Sequence, residues 1–192
     1  MFRVFGGIVA VSMGFCGSAF GEAVDSKAAK KLLFSPKGAD VRILADAGLS
    51  ETDAATLKLV MANIPYYGAA AFAPDEGLQS EATQAVSQHH SISSASAAAL
   101  EQCNKVRKGG AACVVAAEVV PRRYKERDLQ LSVAATAAFR KQYRKLRGEK
   151  AFAISPKTGG WAFYDGVDAG KAAVNRCNQS AGTDDCTTVI AD

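Results

Sequence analysis

The chain lacks the signatures of the common catalytic frameworks. It has no P-loop, no Gly-x-Gly-x-x-Gly opening a helix, no Gly-x-Ser-x-Gly elbow, no His-Glu-x-x-His and no EF-hand loop. Histidine is scarce. The only two, His89 and His90, are adjacent and sit in the serine-rich stretch Ser87–Ser96. A hydrolytic site there would also need an orienting carboxylate and an oxyanion hole, and nothing nearby marks either. The stretch reads as a polar, exposed loop, and no catalytic residue is assigned. Neighbouring histidines point in different directions, and neither pair of mature cysteines has the short spacing usual for zinc. No metal site and no cofactor are expected.

Long apolar runs are also missing. No run after residue 21 reaches the roughly 20 residues of a bilayer-spanning helix. What stands at the N-terminus is shorter: Arg3, then an apolar run from Val4 to about Phe15, then small residues with Ala19 and Gly21 before Glu22. That is the layout of a secretory signal peptide, residues 1–21, cut at Gly21-Glu22. A retained anchor, or a lipoprotein built on Cys16, is the rival reading; bulky Phe15 before the cysteine suits a lipobox poorly. The cut removes Arg3 alone among charged residues, so 171 residues carrying +3 remain. The expected address is periplasmic or secreted.

Removing Cys16 leaves Cys103, Cys113, Cys177 and Cys186. Four cysteines in an exported protein suggest two disulfides, with three pairings open by count alone. An internal repeat chooses among them. AAAFAP (Ala69–Pro74), AAALEQCN (Ala97–Asn104) and CVVAA (Cys113–Ala117) recur in order as AFAISP (Ala151–Pro156), KAAVNRCN (Lys171–Asn178) and CTTVIA (Cys186–Ala191). Each copy then holds one pair, Cys103–Cys113 and Cys177–Cys186. Each copy reads as hairpin, helix, strand. The second hairpin turns at Pro156–Gly160 and returns as Trp161–Asp165. Asp168 is the expected N-cap of a helix over Ala169–Cys177, and Ser93 or Ser94 of the first copy's helix. The apolar run Cys113–Val120 suits a central strand covered on both sides. Trp161, Phe163 and Tyr164 are expected to pack into a core, with a sugar- or peptide-stacking face as the alternative.

Before the first copy, Ser26–Phe34 reads as a short helix ended by Ser35-Pro36, and Val41–Leu44 as a short strand. Ser50 to Asp53 resembles a capping box opening a helix to about Asn63, with Leu57, Val60, Met61 and Ile64 on one face. This segment could cap the first copy. Between the copies, Arg122–Lys150 holds ten Lys or Arg against three acids. A helix over about Leu131–Arg147 would put Ala135, Phe139, Tyr143 and Leu146 on one face. Arg140, Lys141, Arg144, Lys145 and Arg147 fall on the opposite arc with no acid among them. That arc is either a solvated face or a surface for an anionic partner.

The repeat's hairpin AFAISPKTGGW (Ala151–Trp161), alanine-rich helix and paired cysteines resemble small secreted bacterial domains of unknown function. The whole chain is similar to short exported proteins of alphaproteobacteria, some of which carry the name 5-aminolevulinate synthase. That pyridoxal-phosphate chemistry needs a Schiff-base lysine, an aspartate for the pyridine nitrogen and a large α/β domain. None maps onto this sequence, so that activity is not expected, and the resemblance carries no functional residue over.

The expectation is an α+β protein: signal peptide 1–21, helical segment 22–64, first repeat 65–121, basic linker helix 122–150 and second repeat 151–192. The leading function is a non-enzymatic periplasmic binding or envelope-accessory module meeting an anionic envelope component or a protein partner. A partner-protein or inhibitor module using the hairpins as a docking edge is the alternative, and a small envelope hydrolase using His89 or His90 the third. Nucleic acid is not an expected partner in that compartment.

Overall fold

The structure, a computed structural model, describes residues 22–192; the expected signal peptide lies outside them. In chain order the elements are α1 (Ser26–Leu32), β1 (Ala39–Ile43), α2 (Glu51–Met61), β2 (Gly68–Phe72), β3 (Gln84–Val86), α3 (Ile92–Val106), β4 (Val114–Pro121), α4 (Val133–Lys141), β5 (Lys150–Ile154), β6 (Trp161–Asp165), α5 (Ala169–Ala181) and β7 (Thr187–Ala191). The fold is α+β. One antiparallel sheet has the order β1-β4-β2-β3 and a second the order β6-β5-β7.

Alternation along β5 decides which layer covers which face of the second sheet. Ala151 and Ala153 share a core with Ala169, Ala173, Cys177 and Cys186, so α5 lies on the alanine face. Phe152 and Ile154 point the other way, into a core with Ala135, Phe139 and Tyr143, and with Ala29 and Leu33 of the α1 segment. Small residues on one face let α5 approach closely. Large ones on the other supply the buried area, at about 2–3 kcal/mol for each fully buried aromatic. Trp161 and Phe163 stack beside Phe152 with ring centroids 5.6 and 5.9 Å away. They are half-buried core residues. Tyr164, on the opposite face, lies under the Arg176 guanidinium at 4.6 Å.

The two hairpin–helix–strand units share their register. Ala71 pairs with Val115 and Phe72 with Val114; Ala153 pairs with Thr188 and Ile154 with Thr187. A bulge falls between Ala70 and Ala71 in one unit and between Phe152 and Ala153 in the other. β4 is interior to its sheet, flanked by β1 and β2, as its apolar run requires. Both disulfides tie helix to strand: Cys103–Cys113 with Cα atoms 6.1 Å apart, and Cys177–Cys186 at 6.0 Å.

Several expected boundaries differ. The basic helix stops at Lys141. Gln142 leaves the helical region, and Tyr143–Lys145 form a 3-10 turn. The chain turns early as the Tyr143 hydroxyl shares its proton between the carbonyl of Lys150, only seven residues on, and the Asp192 carboxylate. α5 runs a turn beyond Cys177 to Ala181, ending at Gly182 in the left-handed region. The first-unit cap is Ser91, accepting from the Ser94 N–H, rather than Ser93 or Ser94. Asp168 holds the N-cap position of α5 but makes no capping bond; Glu149 accepts from the Ala169 N–H instead. Ser50 does cap α2 through the Asp53 N–H. Val60 is 60% exposed, while Leu57 and Met61 are buried.

The N-terminal segment serves both sheets. β1 extends the first sheet. Val24 instead bridges β7, donating to Val189 and accepting from Ala191, and α1 covers the second sheet. The segment is therefore not a cap on the first unit alone.

Candidate functional site

His89 and His90 do not sit in an exposed loop. They are 7% and 3% exposed and lie where the two units meet. The left-handed backbone at Gln88 (φ 64°) turns the segment onto the second hairpin. His90 Nδ1 accepts from the Ser132 N–H at 3.1 Å, so Nε2 carries the proton and donates to the Gly160 carbonyl at 3.0 Å. The ring is a neutral bridge between units. Burial pushes its pKa down to about 4. Burial lowers that of His89 as well.

Ser94 donates its single hydroxyl proton to the Pro156 carbonyl at 2.6 Å. Ser94 Oγ also lies 3.1 Å from His89 Nδ1 and 3.2 Å from the Lys157 carbonyl. Among the described residues no carboxylate hydrogen-bonds either histidine ring.

The same seam closes the start of α4. Its first amides go to His90 (Ser132 N–H), the Tyr66 carbonyl (Val133), Gln88 (Ala134) and the Ser132 hydroxyl (Ala135). First-unit residues thus supply three of these four acceptors for a helix whose apolar side covers the second sheet. Gly159 is required here. Its φ is +80°, and a Cβ would meet the Gln88 carbonyl at 2.3 Å. Beside the seam an open cleft of about 580 Å³ is lined by Ser91, Ser93, Ser94, Glu101, Pro156 and Lys157, among others.

Each hairpin turn is locked to its disulfide loop by an acid, from opposite sides. In the first unit, turn residue Asp75 accepts from the Ala111 N–H and Glu76 from the Lys108 N–H. In the second, loop residue Asp185 accepts from Ser155, Thr183 and the Lys157 N–H. Burial pushes the Asp185 carboxyl up, but those hydrogen bonds outweigh it and hold it below its ordinary value. The asparagine after each helix cysteine has a matched task that its place in the repeat only hinted at. Asn104 accepts from the Cys113 N–H at 3.2 Å and Asn178 from the Cys186 N–H at 2.9 Å.

The basic residues divide. Arg140 is partly buried, and its guanidinium donates to the carbonyls of Leu33 and Phe34 at 3.3 and 3.2 Å. Arg127, stacked over Phe34 at 3.7 Å, donates to the Leu32 carbonyl. Two arginines thus hold the carbonyls at and just beyond the C-terminal end of α1, where cations suit the helix dipole. Lys141, Arg144, Lys145 and Arg147 are exposed. Ion pairs among the described residues are Lys105–Glu101 and Lys150–Asp192, so none of these four is paired. Among the described residues no cluster of His, Cys, Asp and Glu could hold a metal ion, and no helix is long and apolar enough to cross a membrane.

No protein-family model, curated protein or solved structure matches the chain.

Proposed function

We propose that this chain is an exported, disulfide-stabilised binding or envelope-accessory protein, periplasmic or secreted, that works without catalysis by meeting an anionic envelope component. The observation that carries the reading is the set of exposed cations Lys141, Arg144, Lys145 and Arg147, none paired with a carboxylate. Protein surfaces usually intersperse both signs; here the cations are left to solvent with no carboxylate paired to them. Two disulfides between buried cysteines support an oxidising compartment. The matched registers of the two units support an internal duplication.

A non-reducing peptide map of protein recovered from the periplasm tests the address. Glu22 at the N-terminus, with peptides linked 103–113 and 177–186, is the expected result. Uncleaved protein with free thiols would sink it. For the partner, retention on an immobilised polyanion should fall steeply with salt. A Lys141/Arg144/Lys145/Arg147 charge-reversal variant that is retained like the parent would overturn the anionic reading. The second reading, a partner strand added to the sheet, rests on β6 being an edge of its sheet.

A further inference from the structure

The basic surface is larger than the segment after β4, because tertiary structure sets α1 beside it. Ala29 and Leu33 share one core with Ala135, Ala138, Phe139 and Tyr143, so α1 and α4 form a single layer on the second sheet. Arg140 binds the carbonyls just beyond the end of α1, and Asp192 joins Ser26 at its start to the Tyr143 hydroxyl. α1 therefore runs alongside the α4 end and the 3-10 turn. With Ala29 and Leu33 inward, Lys27, Lys30 and Lys31 are exposed on its outer side. They join Lys141, Arg144 and Lys145, which are exposed on the neighbouring element. No acid occurs within α1, α4 or the 3-10 turn. Of the carboxylates near this end, Asp25 caps α1 and Asp192 holds Ser26 and Tyr143, while Glu22 and Glu149 are exposed before α1 and after the 3-10 turn.

We infer that this two-element cationic face adsorbs the protein to an anionic phospholipid surface. The proposal rests on the anionic-partner reading above and names both the full surface and its occupant. Three observations favour a lipid surface over an acidic protein or a polysaccharide chain. The exposed large apolar residues, Leu59, Val60, Val106 and Val167, lie on other elements, so the face has no apolar centre of the kind that carries protein–protein affinity. Four clefts of the described residues are lined elsewhere, so none of these four would hold a polymer chain on this face. The six cations are flexible ends spread over two neighbouring elements, which suits a dense field of headgroup charge. There each Lys or Arg contributes about a fivefold factor in partitioning.

The test is sedimentation of the purified, oxidised protein with vesicles of phosphatidylglycerol mixed into phosphatidylcholine, against phosphatidylcholine alone. Binding to the anionic vesicles only, weakened by salt, is expected. K27Q/K30Q/K31Q should lower the partition coefficient roughly one hundredfold, and K141Q/R144Q/K145Q by a similar factor. Far-ultraviolet circular dichroism and melting should match the parent, since these side chains are exposed. If the α1 variant binds like the parent while the second variant does not, the joined surface is refuted and the narrower basic segment stands. Retention on heparin without vesicle binding refutes the lipid surface but leaves an anionic partner. Binding to neither refutes both.

Discussion

His90 shows how much one side chain depends on residues far away in sequence. It accepts from Ser132 and donates to Gly160, 42 and 70 positions on. Its pKa in the folded chain is about 4, against an ordinary 6.5. The folded state thus prefers the neutral ring. That contribution is complete above about pH 6.5 and is lost as pH falls towards 4, on the order of 3 kcal/mol in all. Urea unfolding at pH 7 and at pH 4.5 should show the loss. His90→Ala should be less stable at pH 7 by about 2–4 kcal/mol, with two buried partners left unmet, and its remaining acid sensitivity should be smaller. An unchanged pH slope would remove the bridge from the account. Asn104 and Asn178 act locally by comparison. Replacing either with Ala leaves a cysteine N–H unpaired, and a drop of about 1–2 kcal/mol in unfolding free energy is expected.

At the scale of elements, α1 is too short to persist alone, since isolated helices under about 12 residues are marginal in water. It is held by Asp25 at one end and by Arg127 and Arg140 at the other. Arg140→Ala should therefore cost about 2 kcal/mol and speed amide exchange selectively in Ser26–Leu32, measured by hydrogen exchange. Arg140→Lys should recover part of the loss, because one nitrogen, Nη2, makes both bonds and an ammonium can also donate twice. Helical periodicity correctly placed Ala135, Phe139 and Tyr143 on the buried side, yet the helix ends at Lys141. Periodicity reads the apolar stripe, and the stripe continues through a 3-10 turn. At the helix's end a hydroxyl reaches Lys150 and Asp192, which no local pattern reports.

Across the whole molecule, neither unit is complete without the segments around it. Phe152, Ile154 and Ile190 are covered by α4 and α1, both outside the second repeat. Residues 150–192 expressed alone should accordingly form no cooperative fold, even with Cys177–Cys186 closed. That disulfide adds about 2.5–3 kcal/mol by the loop-entropy account, which does not replace a lost apolar layer. Absence of a sigmoidal melt is the expected result; a sharp transition would show that the unit stands by itself.

The α+β class, the cysteine pairing and the central position of β4 were legible in the sequence. They depend on local period, composition and matched spacing, which a linear chain displays directly. The serine-rich stretch departs from an exposed loop for a physical reason. Polarity reports solvent exposure only when the polar groups lack partners inside; Ser94 and His90 find theirs on a hairpin more than sixty residues away, and His89 finds its own in Ser94. The basic face was half legible: its Lys141–Arg147 part is contiguous in sequence, whereas the lysines of α1 join it only because Arg140 and the shared core place that helix alongside. Local chemistry determined the parts. Burial and long-range hydrogen bonding decided which of them meet.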